Sequence, residues 1–248
     1  MFKKIRLKKF IQYLALILFP VTINYFSPYL IMVGATKGIV NGSMILFGSL
    51  LISSILFGRL FCSTLCPVGA AGDYLCFSNE RRVKNGKFNL IKWFIWIPWL
   101  AGIIAGLLYA GGISEVNPLF MTETGISVDR PGAYIIYLGV LALVTIISIT
   151  VGKRAFCHYV CWMAPFMIIG IHIRSFFRLP GFTLTAKKET CIKCGKCNNV
   201  CPMSLDIREM VQMNKMTHVE CILCGQCVKQ CPKDTIDFGF ERGKLNYK

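Results

Sequence analysis

The chain has 248 residues, 54% of them hydrophobic, a mean hydropathy of +0.56 and only 16% charged residues, which is too apolar for an ordinary soluble domain. Its formal net charge of +16, from 28 Lys and Arg against 12 Asp and Glu, would suggest nucleic acid if it were spread over a soluble surface. The basic residues instead flank apolar runs, which excludes nucleic acid as a partner and makes the lipid bilayer the first expectation.

Lys3, Lys4, Arg6, Lys8 and Lys9 precede the first of four stretches free of Asp, Glu, Lys, Arg and His, at residues 10–33, 39–58, 93–114 and 132–151. Each is about the 20 residues a helix needs to cross a ~30 Å hydrocarbon core. The first is longer than a signal-peptide apolar region and has no small-residue cleavage signal after it, so it reads as a retained span. Pro20 and Pro98 predict kinks or broken turns, and Gly102 and Gly106, four apart, predict close helix packing. Trp93, Trp96 and Trp99 suit an interfacial belt as well as a quinone cleft. With no His in the spans a bis-His haem is not expected, and with no carboxylate there is no evident proton relay.

Arg59, Arg81, Arg82, Lys84 and Lys87 fill the loop between spans two and three, and Lys153 and Arg154 follow span four. The loops at 28–38 and 115–131 hold only Lys37 and Arg130, against Glu115, Glu123 and Asp129. Basic residues are retained on the cytoplasmic side. A multi-pass protein of the cell's inner (cytoplasmic) membrane with both termini cytoplasmic is therefore predicted. Thirteen cysteines on a reducing face point to metal or redox chemistry rather than structural disulfides.

The segment GRLFCSTLCP after span two is echoed by KRAFCHYVCW after span four, so the bundle reads as a duplicated two-helix unit. Cys62 and Cys66, like Cys157 and Cys161, are four apart, which on a helix sets both thiols on one face a turn apart. Three readings stay open for these four residues: a third iron-sulfur or other metal site; thiol-disulfide chemistry, with exposed thiols acidified by Arg59, Lys153 and Arg154; or small apolar cysteines packed at helix ends. Cys76 has no counterpart and reads as structural. His158 and His172 meet a quinone or, more safely, a backbone carbonyl, and His218 sits beside the last cysteine run.

Residues 164–177 are apolar but short, and read as an interfacial helix closing a membrane domain of residues 1–178. Residues 179–188, with Pro180 and Gly181, read as a linker to a domain at 189–248. There CIKCGKCNNVCP, from Cys191, recurs as CILCGQCVKQCP, from Cys221. This is the bacterial ferredoxin spacing, in which each run lends its fourth cysteine to the other cluster. One 4Fe-4S cluster is expected at Cys191, Cys194, Cys197 and Cys231, the other at Cys221, Cys224, Cys227 and Cys201. Gly195 and Gly225 permit the tight turns, and Pro202 and Pro232 end them. Structural zinc uses paired knuckles closing one tetrahedron, a pattern these runs do not follow. The expected fold is thus a membrane all-α bundle of four helices plus a C-terminal α+β two-cluster ferredoxin-like domain, carrying single electrons.

This order resembles the NapH/MauN family of membrane ferredoxins, and is similar to the C-terminal half of NosR-type proteins and to CcoG-type copper reductases. Cys62, Cys66 and Pro67 match the family's Cys-x3-Cys-Pro, whereas the second copy has Trp162 in place of the proline, with Pro165 shortly after. The resemblance implies an electron-transfer subunit of a quinol-oxidising chain. In it the membrane part meets the quinone pool, menaquinol for example, and the clusters exchange electrons with iron-sulfur or haem partner proteins. Two rival expectations are an accessory reductase, serving metallocentre assembly or reducing copper at the Cys-x3-Cys motifs, and a membrane redox sensor. No residue is assigned a catalytic role.

Overall fold

Pro20 has no amide to donate and its ring clashes with the turn before it, so the first apolar run breaks there. In the computed structural model, which describes residues 2–76, 79–83, 86–122, 125–128, 131–242 and 245, helix α1 (Phe2–Ile17) gives way to α2 (Phe19–Thr22) and a 3-10 turn at a bend of 62°. Lys84, Glu123, Asp129 and Arg130, which enter the charge asymmetry, lie outside the described residues.

Ser27 then caps α3 (Pro28–Thr36), its side chain accepting from the Leu30 amide at 3.4 Å, with Pro28 in the first turn. The run 10–33 is therefore several helical pieces rather than one span, and much of the expected loop 28–38 is helix. Asn41 ends strand β1 (Ile39–Asn41) and caps α4 (Gly42–Phe57) through the Met44 amide, while its Nδ2 donates to the Leu30 carbonyl at 2.5 Å. Two short helices follow, α5 (Leu60–Thr64) and α6 (Pro67–Leu75). Next come α7 (Ile91–Tyr109), strand β2 (Glu115–Asn117), which pairs in parallel with β1, and α8 (Pro131–Val151).

Among the described residues Phe88–Tyr109 and Gly132–Val151 are long and apolar enough to cross a membrane, and the bent pair around Leu18 makes a third if it counts as one span. The expected span at 39–58 yields only the 16-residue α4. After α9 (Ala155–Tyr159), the 13-residue α10 (Ala164–Phe176) packs along α4, where a side chain at Gly170 would run into Ser54 and Leu51. Its Met167, Ile168 and Ile171 are buried, so the helix expected at the interface forms part of the core. Gly102 and Gly106 let α7 close on α3, against Met32 and Ala35. The tryptophans of α7 join an aromatic core, with Trp96 5.3 Å and Trp99 6.1 Å from the Phe166 ring. Each such ring pair contributes ~0.5–1.5 kcal/mol, while Trp93 and Trp99 stay partly exposed.

The tail begins earlier than its composition suggests. Gly181–Ala186, inside the expected linker, forms strand β3, antiparallel to β4 (Ile236–Glu241). Between them lie the short helices α11 (Lys196–Asn199), α12 (Ile207–Gln212) and α13 (Gln226–Gln230).

Candidate metal centres

The two cysteine runs of the tail share one backbone. Left-handed residues fall at matching offsets: Lys193 and Leu223 (φ 55° and 54°), Gly195 and Gly225 (72° and 76°), Ser204 and Asp234 (54° and 46°). A non-glycine residue in that region costs ~1–2 kcal/mol, so the side chains at four of these positions are accepted for the sake of the loop shape. Alternating right- and left-handed residues turn successive amides inward, forming an anion-binding nest. The Thr235 amide donates to Cys231 Sγ at 3.3 Å.

Cys191, Cys194, Cys197 and Cys231 line one small cavity, and Cys201, Cys221, Cys224 and Cys227 line another. Each holds three thiols of one run and the fourth of the other. None of the thirteen cysteines is in a disulfide. Among the described residues no three His, Cys, Asp or Glu side chains are drawn together as ligands of a single ion. Four soft thiols spaced round a cavity suit a multi-iron group better than one zinc. Burial pushes Cys221 up to about 12 and Cys201 up to about 11. At Cys231 burial also acts upward, but hydrogen bonds from Lys233, Thr235 and Ile236 outweigh it and hold the thiol below its ordinary value. A metal that takes these thiols as thiolates must displace their protons, so its binding releases protons and weakens as pH falls.

The Cys-x3-Cys pairs follow a different geometry from the expected one-face arrangement. Cys62 lies in α5, whereas Cys66 caps α6 through Sγ, accepting from the Gly69 amide at 3.4 Å. The break arises because Pro67 forces Cys66 into an extended conformation. The second copy keeps the order, with Cys157 in α9 and Cys161 between α9 and α10, although Trp162 replaces the proline. All four thiols are buried, at 5–7% exposure, and face one another closely enough to interact electrostatically. They are not the exposed, acidified thiols of the exchange reading: burial pushes Cys157 up to about 12 even beside Arg154. Cys76 is the half-buried end of α6, and His172 is exposed on α10.

Two arginines, each three residues before the first cysteine of its pair, are fully buried. Arg154 donates to Asp73 at 2.7 Å, to the Cys62 carbonyl at 3.1 Å and to the Gly69 carbonyl at 2.9 Å, so the second copy clasps the turn of the first. Arg59 donates to Glu220 at 2.6 Å, and Lys92 pairs with the same carboxylate. Arg59 Nε and Nη2 are buried without a hydrogen-bond partner, whereas the buried His158 ring reaches the backbone at Met203. Arg59 lies within electrostatic reach of Cys62 and Cys161. Orphaned buried donors cost ~1–3 kcal/mol each, and beside four thiols they fit an anionic group held there.

Sequence reasoning missed Glu220 and Asp73, and it named Arg59 and Arg154 only as acidifiers of exposed thiols. The signal for the arginines was visible in the repeated Arg at the same offset from each pair, and for Glu220 in a single carboxylate set directly before Cys221.

The tail is docked on the apolar half by cations. Besides Arg59, Lys8 donates to the Cys224 carbonyl at 2.9 Å, Arg82 to the Ser204 carbonyl at 2.9 Å, Lys153 to the Asn199 carbonyl at 3.2 Å and Arg174 to the Phe182 carbonyl at 3.2 Å. Hydrogen bonds from charged donors contribute ~1.5–3 kcal/mol each. The quartet containing Cys221 and Cys224 therefore faces the apolar half, while Cys194 of the other is exposed. His218 accepts from the Glu220 amide at 3.0 Å and supports the same contact.

A cleft of about 700 Å³ is lined by Cys161, one of the four buried thiols. Phe19, Phe26, Val140, Phe156 and Trp162 line it as well. Trp162 Nε1 donates to the Phe26 carbonyl at 3.0 Å, joining two of the lining residues.

Residues 178–248 match the family model of a 4Fe-4S dicluster domain, and residues 42–82 and 133–175 match that of a 4Fe-4S binding domain. The electron transport protein YccM of Escherichia coli is 22% identical over 75% of this chain and 53% of its own length. The methylamine utilization ferredoxin-type protein MauN of Paracoccus denitrificans is 26% identical over 71% and 60% respectively. Protein RdxA of Cereibacter sphaeroides is 30% identical over 72% and 42%. The chain thus spans about half to three fifths of the length of YccM and MauN. No solved structure matches it.

Proposed function

The chain belongs to the MauN/NapH-type ferredoxin family, and on that premise we propose that it is a membrane-anchored carrier of single electrons with a 4Fe-4S cluster in each cysteine quartet of its tail. The observation that carries this reading is that each quartet surrounds its own cavity. A 4Fe-4S cluster, when bound, changes charge by one electron at a time and carries no hydride. The chain's own residues set its surroundings. Amides of Lys233, Thr235 and Ile236 point at Cys231, those of Met203 and Leu205 at Cys201, and that of Leu223 at Cys221. Such hydrogen bonds favour the more negatively charged, reduced state and raise the potential. The basic residues at the junction favour a cytoplasmic face for the tail.

The four buried thiols at Cys62, Cys66, Cys157 and Cys161, with the orphaned donors of Arg59, support a third cluster between the apolar half and the tail. Anaerobically purified protein in detergent is expected to hold about twelve irons, falling to about eight in Cys62→Ala. Wild-type protein with about eight irons would leave only the tail quartets, and zinc or copper in place of iron would overturn the reading.

The cleft lined by Cys161 supports a quinol as the membrane partner, because its lining is mostly apolar and includes one of the buried thiols. Val140→Trp is expected to slow reduction of the clusters by a menaquinol analogue by about tenfold while leaving reduction by dithionite unchanged. Equal quinol rates in the two proteins would remove the cleft from the path.

A further inference from the structure

The cavity formed by Cys191, Cys194, Cys197 and Cys231 opens to solvent, and its rim carries charge of one sign. Lys193, Lys196, Arg208 and Lys233 line it, all four exposed. Among the described residues lining it there is no Asp or Glu. Exposed Glu189, Asp206, Glu209 and Asp234 lie nearby in the chain but outside the lining, Asp206 within electrostatic reach of Arg208, so the three lysines carry the unpaired charge of the rim. Ile192, 57% exposed, stands within the ring of cations. An apolar centre with a charged rim is the layout of a protein docking patch. The other quartet cannot serve this way, since Lys8 and Arg59 bind its loop to the apolar half.

We propose that this basic face is the docking surface for an acidic soluble one-electron carrier protein, and that the quartet around Cys194 is where electrons pass between this chain and that partner. This rests on the iron-sulfur reading above. One electron crosses between the group held by Cys191, Cys194, Cys197 and Cys231 and the partner's own one-electron centre, with no bond made or broken. Opposite charges orient the encounter and speed association, and salt weakens both effects.

An acidic flavodoxin serves as the probe. Carbodiimide coupling of wild-type protein to flavodoxin, which joins lysines to carboxylates in contact, is expected to map by mass spectrometry to Lys193, Lys196 or Lys233, and to be lost at high salt. Couplings confined to other lysines would overturn the proposal whether or not clusters are present. In stopped-flow measurements Lys193→Glu/Lys233→Glu is expected to lower the second-order rate of electron exchange by about tenfold or more and to flatten its salt dependence. Lys215→Glu/Arg242→Glu, with the same change of net charge at exposed positions away from the cavity, is the control. Equal losses in the two variants would reduce the effect to overall charge and sink the proposal. Iron content is read in each variant. If the first variant loses iron, the cross-link map of the wild-type protein decides alone, and loss of iron from the wild type itself marks failure of the iron-sulfur reading instead.

Discussion

Glu220→Leu is expected to destabilise the junction between tail and apolar half by about 3–5 kcal/mol, because Arg59 and Lys92 would remain buried with no counter-charge. Both cations and the carboxylate are buried, at 0%, 1% and 3% exposure. Faster hydrogen exchange in β3 and in the loop from Met216 to Cys221, with a lower unfolding midpoint, would register the loss. The triple variant Arg59→Met/Lys92→Met/Glu220→Leu, which removes the whole charged group, should recover much of it. Failure of the triple variant to recover would mean that Glu220 acts through something other than these two cations. The same carboxylate makes the junction acid-sensitive. Burial alone would raise its pKa, but Arg59 and Lys92 hold it down at about 2, against an ordinary 4.5. A depressed carboxylate stabilises the fold above about pH 4.5, and that contribution drains away as pH falls towards 2. Glu220→Gln should flatten the stability profile across that window.

The second large effect concerns how the tail cysteines are shared. Cys201→Ser is expected to remove the same electron-paramagnetic-resonance signal, and about four irons, as Cys227→Ser, although the two residues belong to different runs. Cys231→Ser should match Cys194→Ser instead. The cavities are the reason, since Cys201 lines one with Cys221, Cys224 and Cys227, and Cys231 lines the other. Each substitution should also loosen the tail by several kcal/mol, because a bound metal group adds its binding energy to folding. If Cys201→Ser instead abolished the signal lost in Cys194→Ser, each run would hold its own cluster and the exchange of fourth cysteines would be wrong.

The tail was legible because thiolate ligation fixes spacing locally. Gly195 and Gly225 announced the left-handed turns that the backbone adopts. Lys193 and Leu223 did not, since nothing in a lysine or a leucine signals a positive φ. The apolar half was less legible. Uncharged runs report lipid or core but do not distinguish one straight helix from several bent ones, and a lone Pro20 left open whether the run would kink or break. Strand β3 was hidden because its partner lies some fifty residues on, at Ile236–Glu241, and Pro180 with Gly181 has the composition of a linker. The same blindness to long-range contact explains Arg59, whose place three residues before Cys62 was plain in the sequence. Its buried partner Glu220, 161 positions away, could be found only once the chain was folded.

The cations that fasten the tail have a consequence for kinetics. A ferredoxin domain on a loose tether would have to swing between donor and acceptor, on the microsecond-to-millisecond timescale of domain motion. Here Lys8, Arg59, Arg82, Lys153 and Arg174 seat it in one position. Transfer within the chain then needs no rotation of one half against the other and should be indifferent to solvent viscosity. Glycerol would slow only the arrival and departure of the partners at either end.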